Sequence, residues 1–249
     1  GNFMAQSAVI IIQTGTPPAA IRQQYGDLPQ WFSQAIGRPL SALQVVRVFE
    51  GEALPAPDPA RLAVITGSWD MVTDRLPWSE ATAEWIRQAM AAEMPLLGVC
   101  YGHQLMAHAL GGEVGYLDCI RETGCLPVSL TPSAAADPLL ENLPATFPVH
   151  LTHMQSVTRL PAGAEVLGRS AIDPHQIIRY GNYAVSTQFH PEFPVAAARA
   201  MIERNRTVFS QEGRDTDAIL AQITETPEAT GILQRFIEHH LPDGRAEGC

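Results

Sequence analysis

The sequence is poor in positive charge. Its 249 residues carry 16 Lys and Arg against 26 Asp and Glu, a net charge of −10. A nucleic-acid partner calls for a basic stripe, so that class is set aside. Cysteine is scarce as well: Cys100, Cys119, Cys125 and Cys249 show no CxxC spacing. That argues against a zinc or redox pair, and in a reducing compartment all four are expected as free thiols. No run approaches the ~20 apolar residues of a membrane span; the longest near the start, 8–12, is strand-sized. The beginning also lacks the basic region and long apolar segment of a signal peptide, so a cytoplasmic location is the expectation. Gly1, Asn2 and Phe3 precede Met4 and read as an artificial extension. Repeats, low-complexity runs and a G-x-x-x-x-G-K-[ST] phosphate loop are absent too.

Hydrophobic residues make up 46% of the chain and charged residues 17%, enough apolar material for a sizeable core. Short β-rich apolar runs at 9–12, 45–49, 62–66 and 96–99 read as buried strands. Helical stretches at 18–36 and 78–94 lie between them, the second stopped by Pro95. That alternation predicts an α/β fold, with a mostly parallel central sheet flanked by helices on both faces. From about Glu113 the texture changes. Short strands are expected at 114–116, 126–130, 164–170, 176–180 and 183–188, with Tyr180-Gly181-Asn182 as a hairpin turn, giving a smaller antiparallel region in the second half. The segments 54–59 and 133–136 read as loops. Helices are expected at 194–212 and 227–240, the latter with Thr226 as N-cap and Pro227 at its first position. The economical organisation is one domain over 4–241, with 242–249 as a tail.

The strongest chemical signal is Gly98-Val99-Cys100-Tyr101-Gly102, where an apolar strand runs straight into a helix ending at Gly111-Gly112. This is the cysteine form of a nucleophile elbow. Its strand-to-helix turn is so sharp that a side chain two residues either side of Cys100 would collide with a neighbouring element. The elbow lifts the thiol to the carboxyl end of the sheet, at a helix N-terminus whose partial positive charge favours the thiolate. Alone, the motif competes evenly with a buried core cysteine. A second segment, Gln188-Phe189-His190-Pro191-Glu192, changes the balance. A thiol nucleophile needs a base, and the base needs an orienting acceptor. His190 suits the first role and Glu192 the second, with Pro191 stiffening the pair.

Together, Gly98-Val99-Cys100-Tyr101-Gly102-His103-Gln104 and Gln188-Phe189-His190-Pro191-Glu192, ninety residues apart, resemble the class I glutamine amidotransferases. The likeness is nearest to the amidotransferase domain of GMP synthase and its stand-alone relatives, and it covers residue 9 to about 193. The resemblance implies a catalytic triad of Cys100, His190 and Glu192. Cys100 would attack the side-chain amide of glutamine, giving a γ-glutamyl thioester and ammonia, and water would then release glutamate. It further implies an oxyanion hole from Gly67 or Ser68 together with Tyr101. The family's usual Gly-Gly-Pro-like turn here reads Gly67-Ser68-Trp69-Asp70, leaving open which of the two donates. Substrate contacts are implied at Gln104 and at the main chain of Thr152 or Met154, where Gln155 stands in the family's Asp position. No cofactor and no metal are implied. His103, His108, His150, His153 and His175 lack metal spacing, and His103 and His108, five apart, do not share a helix face cleanly.

Three activities compete. They are glutamine hydrolysis with ammonia passed to a separate synthetase subunit, hydrolysis of γ-glutamyl peptides or amides, and a non-catalytic regulatory role on the same fold. An intact Cys-His-Glu set argues against the last. About 56 residues follow Phe193 and read as two helices, too few for an ATP-driven synthetase domain.

Overall fold

Alternating β-branched residues set the layers. The computed structural model describes residues 6–241. Strand β1 (Val9–Gln13) is buried along its whole length. Its odd positions, Val9 and Ile11, pack into one apolar cluster with Phe32 and Phe236; Ile10 and Ile12 pack into another with Trp85, Ile86 and Leu105. A strand that is apolar on both faces needs cover on both. Helices α1 (Ala19–Tyr25) and α2 (Leu28–Ile36) follow, then β2 (Leu43–Arg47), β3 (Leu62–Ile65), α3 (Pro77–Ala91), β4 (Leu96–Val99) and α4 (Tyr101–Ala109). The second half holds β5 (Glu113–Tyr116), β6 (Glu122–Leu130), β7 (Thr146–His153), β8 (Gln155–Arg159), β9 (Glu165–Arg169), β10 (Ile177–Arg179) and β11 (Ala184–Thr187). Helices α5 (Val195–Arg204), α6 (Arg206–Gln211), α7 (Thr216–Ala221) and α8 (Pro227–His240) complete it.

The large sheet runs β2-β1-β3-β4-β11-β10-β9-β6-β7, parallel from β2 to β11 and antiparallel from β11 to β7. β5 and β8 form a separate antiparallel pair. The α/β class and the antiparallel second region therefore stand as expected. No described helix is long and apolar enough to cross a membrane.

Several expected elements are corrected. The helix expected at 18–36 is two helices, because Gly26 takes φ 87° and Asp27 starts α2 with a capping box closed by Gln30. The helix expected at 194–212 breaks at Asn205, and α7 follows it, so among the described residues four helices rather than two lie beyond Phe193. β7 and β8 were not expected. Pro148 in β7 reads as a strand breaker, but it faces Pro127 of β6, a pairing in which neither residue has an N–H to give. The loop expected at 133–136 is a short 3-10 turn, Pro132–Ala136. Thr226 does precede α8, but its side chain makes no cap hydrogen bond. The expectations for residues 1–3, for Cys249 and for the 242–249 tail lie outside the described residues.

Candidate active site

β3, β4 and β11 lie side by side and parallel, so the turns after them open on one edge of the sheet, where α/β sites form. Those turns carry Gly67 and Ser68, Cys100, and Gln188 to Glu192. Sequence segments ninety residues apart thus meet through strand adjacency. The Cys100 N–H donates to Thr187 O at 2.9 Å and fastens the two turns together.

Cys100 has φ 53° and ψ −102°, a backbone conformation worth about 1–3 kcal/mol of strain in a residue with a Cβ. It immediately precedes α4. A Cβ at Gly98 would stand 2.5 Å from Gly102 O and 2.7 Å from the Met106 sulfur; one at Gly102 would overlap the Ile65 carbonyl. Both flanking glycines are required by close approach, as expected from the elbow.

The Cys100 side chain is buried. Its Sγ donates to Thr152 O at 3.7 Å and accepts from Gln188 Nε2 at 3.5 Å. Gln188 Oε1 in turn accepts from Gln104 Nε2 at 3.0 Å, and the same nitrogen donates to Gln155 O at 2.7 Å. Gln104 therefore commits its amide nitrogen to the protein and buttresses Gln188, leaving only its oxygen for a ligand.

His190 Nδ1 lies 2.9 Å from Glu192 Oε2. Nε2 is buried, makes no hydrogen bond, and is the ring nitrogen left for Cys100. Phe193 stacks on the imidazole, centroids 3.9 Å apart and planes 11° from parallel, and Trp31 meets Phe193 edge-on. Burial by itself would lower the His190 pKa. The charges of Glu192 and Cys100, with the Glu192 hydrogen bond, overcome it and raise the value to about 10. His103 shows the opposite behaviour. Burial lowers it to about 3, and the ring stays neutral between the Ser186 hydroxyl and the His175 carbonyl. His150 is lowered to about 4 by burial and by His190.

These shifts fix the sign of a pH dependence. The His190 contribution to stability is complete below about pH 6.5, the unfolded value, and disappears as pH rises towards 10. His103 and His150 act on the other side, because the unfolded chain takes up protons that the folded chain refuses as pH falls from about 6.5. Urea midpoints should therefore decline in both directions from near pH 6.5. Glu192→Gln should flatten the alkaline arm, and an unchanged arm would contradict the pairing.

Gly67 sits against the site: a Cβ there would stand 3.0 Å from His190 Cε1 and 3.6 Å from Cys100 Cβ. Its carbonyl lies 2.8 Å from the Thr14 hydroxyl and 3.0 Å from the Thr66 hydroxyl, both buried. In a trans peptide the C=O and the following N–H point opposite ways. With the Gly67 carbonyl turned onto these threonines, the Ser68 N–H points away from them. Of the remaining expected contacts, Thr152 meets the Cys100 sulfur through its carbonyl, while the Met154 carbonyl is occupied by the Leu117 N–H at 2.8 Å.

Glu122, His153 and Asp173 hold possible metal-ligand atoms within 4.8 Å of one another. Both His153 nitrogens already face oxygens, Glu122 Oε1 and Gln155 O, each at 2.7 Å. Glu122 is further held by Ser170 and Gln176. His153 and Glu122 satisfy each other and fix the 152–155 turn, whereas Asp173 accepts from the His175 N–H through Oδ1 and keeps Oδ2 buried without a partner. His103 and His108 diverge, His108 pairing with Glu80.

Gly67, Ser68, Cys100, Tyr101, Gln104, Thr152, Met154, His190 and Glu192 all line one cavity of about 230 Å³. Gln188 and Phe193 were missed as contributors. Both lie within or beside the second motif, but their contacts with Cys100 and His190 depend on tertiary placement. Gln155 was discounted as a departure from the family's Asp, yet its Oε1 is buried without a donor and the residue lines the cavity.

Comparison with known proteins gives the family. The family model described as Glutamine amidotransferase class-I matches residues 52–208. A glutamine amidotransferase-like protein of Salmonella typhimurium is 34% identical over 166 residues, 64% of this chain and 69% of that protein. The glutamine-hydrolysing GMP synthase of Thermomicrobium roseum is 39% identical over 112 residues, 45% of this chain but only 20% of the synthase. A γ-glutamyl-L-1-hydroxyisopropylamide hydrolase from a Pseudomonas species is 32% identical over 154 residues, 56% of this chain and 52% of the hydrolase. A glutamine amidotransferase crystal structure from Thermotoga maritima superposes with a TM-score of 0.74 over 96% of this chain and all of that one, at 20% identity, a likeness of fold.

Proposed function

Because this chain belongs to the class I glutamine amidotransferase family, we propose that it hydrolyses a γ-glutamyl amide through a thioester on Cys100. The observation that carries the reading is the strained Cys100 at the sheet edge, with the Glu192-oriented His190 and its free Nε2 in the same cavity. The Cys100 thiol gives its proton to His190 Nε2 as the sulfur attacks the γ-carbonyl carbon. The oxyanion accepts from the Ser68 and Tyr101 N–H groups, the first oriented by Thr14 and Thr66 and the second by the start of α4. The C–N bond breaks as His190 Nε2–H gives its proton to the leaving amine. Water then attacks the thioester, His190 takes its proton, the C–S bond breaks, and glutamate leaves. Glu192 orients the ring and offsets its charge throughout. Gln155 Oε1 is a buried acceptor for the α-ammonium of the glutamyl moiety.

Glutamine fits this chemistry, with ammonia as product and a separate synthetase subunit as its receiver. The matched GMP synthase is named as glutamine-hydrolysing, but this chain spans a fifth of that protein. The matched γ-glutamyl amide hydrolase favours the second reading, in which the leaving group is a larger amine and no partner is needed.

Kinetics on the purified chain separate the two. The hydrolase reading expects kcat/KM above roughly 10² M⁻¹s⁻¹ on at least one γ-glutamyl amide, since ordinary enzymes exceed that value. Rates below it on glutamine and on every γ-glutamyl compound tried would reject independent hydrolysis and favour a synthetase partner.

A further inference from the structure

The cavity does not end at the catalytic groups. From the loop holding His190, Glu192 and Phe193 the chain enters α5, whose last residue, Arg204, lines the same cavity. Cys100 and Arg204 thus line one cavity from different elements, the end of β4 and the end of α5. Arg204 is exposed, and none of the hydrogen bonds or ion pairs among the described residues uses its guanidinium.

The wall it shares is positive although the protein is acidic. Arg121 also lines the cavity, spending Nε and Nη2 on Glu212. Glu212 is itself shared with Arg214, so two arginines face one carboxylate there before Arg204 is added. Glu203, beside Arg204, is taken by Arg206. Asp70 is the one acidic lining residue besides Glu192. Trp69, Phe193 and Met201 add apolar lining, and Trp69 is 47% exposed.

We propose that Arg204, supported by Arg121, selects γ-glutamyl amides whose leaving amine bears a carboxylate, that is, γ-glutamyl amino acids and peptides. The inference rests on the cavity taking a γ-glutamyl amide. With the γ-carbonyl at Cys100, the two arms of such a substrate diverge. The glutamyl arm meets buried polar groups, where Gln155 Oε1 lacks a donor. The leaving-group arm runs to the exposed mouth, where a guanidinium lacks an anion. Arginine's planar fork suits a carboxylate there, and apolar lining suits the carbon skeleton between.

The test compares γ-glutamylglycine with the neutral γ-glutamyl ethylamide, on wild type and Arg204→Gln. The wild-type ratio of kcat/KM, acid over amide, is expected to favour the acid. In Arg204→Gln that ratio should fall about 10- to 100-fold, the range for a hydrogen bond to a charged group. An unchanged ratio overturns the proposal: equal losses on both substrates place Arg204 at the glutamyl end, and no loss on either makes it a solvated surface residue. The same ratio read as affinities, by calorimetry on Cys100→Ala with and without Arg204→Gln, does not need turnover. If wild type cleaves neither compound, an Arg204-dependent affinity ratio upholds the inference while the catalytic reading fails; its absence overturns the inference whether or not wild type cleaves.

Discussion

Replacing Cys100 with Ala is expected to reduce kcat/KM on any γ-glutamyl amide by on the order of 10⁶-fold, with the fold intact. The size follows from the way triads fail. Once the nucleophile is gone, the base and its orienting acid have nothing to activate, and only binding and the oxyanion donors act on the substrate. Glu192→Gln keeps the nucleophile and a neutral oxygen beside His190 Nδ1, so its loss should be smaller, on the order of 10⁴-fold. The stability of Cys100→Ala should change little. The substitution removes a sulfur held only by long contacts to Thr152 O and Gln188 Nε2, while the backbone strain at φ 53° remains. A Cys100→Ala protein retaining more than about a hundredth of wild-type activity would eliminate the thioester mechanism. So would equal alkylation of Cys100, Cys119, Cys125 and Cys249 by a glutamine-like electrophile.

The elbow was legible because its requirements are local. Gly98, Cys100 and Gly102 are read from spacing alone, and the collisions that spacing implied are those found with Gly102, Met106 and Ile65. The inner strands were equally plain, since residues apolar on both faces leave a continuous hydrophobic run. The rest needed tertiary information. β7 carries a proline that reads as a breaker until Pro127 is known to face it. The break between α1 and α2 did have a local sign, Asp27 followed three residues later by Gln30, which the helical texture on either side outweighed. At the site, no spacing could reveal that Gln104 and Gln188 bond each other across 84 residues and so steer an amide onto the Cys100 sulfur. The direction of the Gly67 carbonyl, on which the proposed preference for the Ser68 N–H rests, likewise depends on Thr14, a residue 53 positions away that follows another strand.

Gly102→Ala is expected to destabilise the protein by about 2 kcal/mol and to depress activity with it. Two effects oppose each other. Within α4, alanine improves helix propensity by about 1 kcal/mol relative to glycine. Against that, the new Cβ would overlap the Ile65 carbonyl oxygen and approach both the carbonyl carbon and the Ile65 Cβ at 2.9 Å. These atoms are not a flexible side-chain end. Ile65 is the last residue of β3, wholly buried and paired on both sides with β1 and β4. The strand cannot retreat, so α4 must shift or tilt, and overpacking of this kind costs about 3 kcal/mol at the upper end of its usual range. The clash therefore exceeds the propensity gain. The shift would fall on the first turn of α4, displacing the Tyr101 N–H and the Cys100 sulfur relative to His190, so kcat should drop even in the protein that remains folded. Gly115→Ala in β5 is the control, because its Cβ would find only Thr158 Cγ2 at 3.4 Å. Urea unfolding of the two variants, with kcat measured on the folded fraction, tests the argument. A Gly102→Ala midpoint at or above that of Gly115→Ala would mean that α4 does not press on β3 as described, and the steric account of the elbow would have to be abandoned.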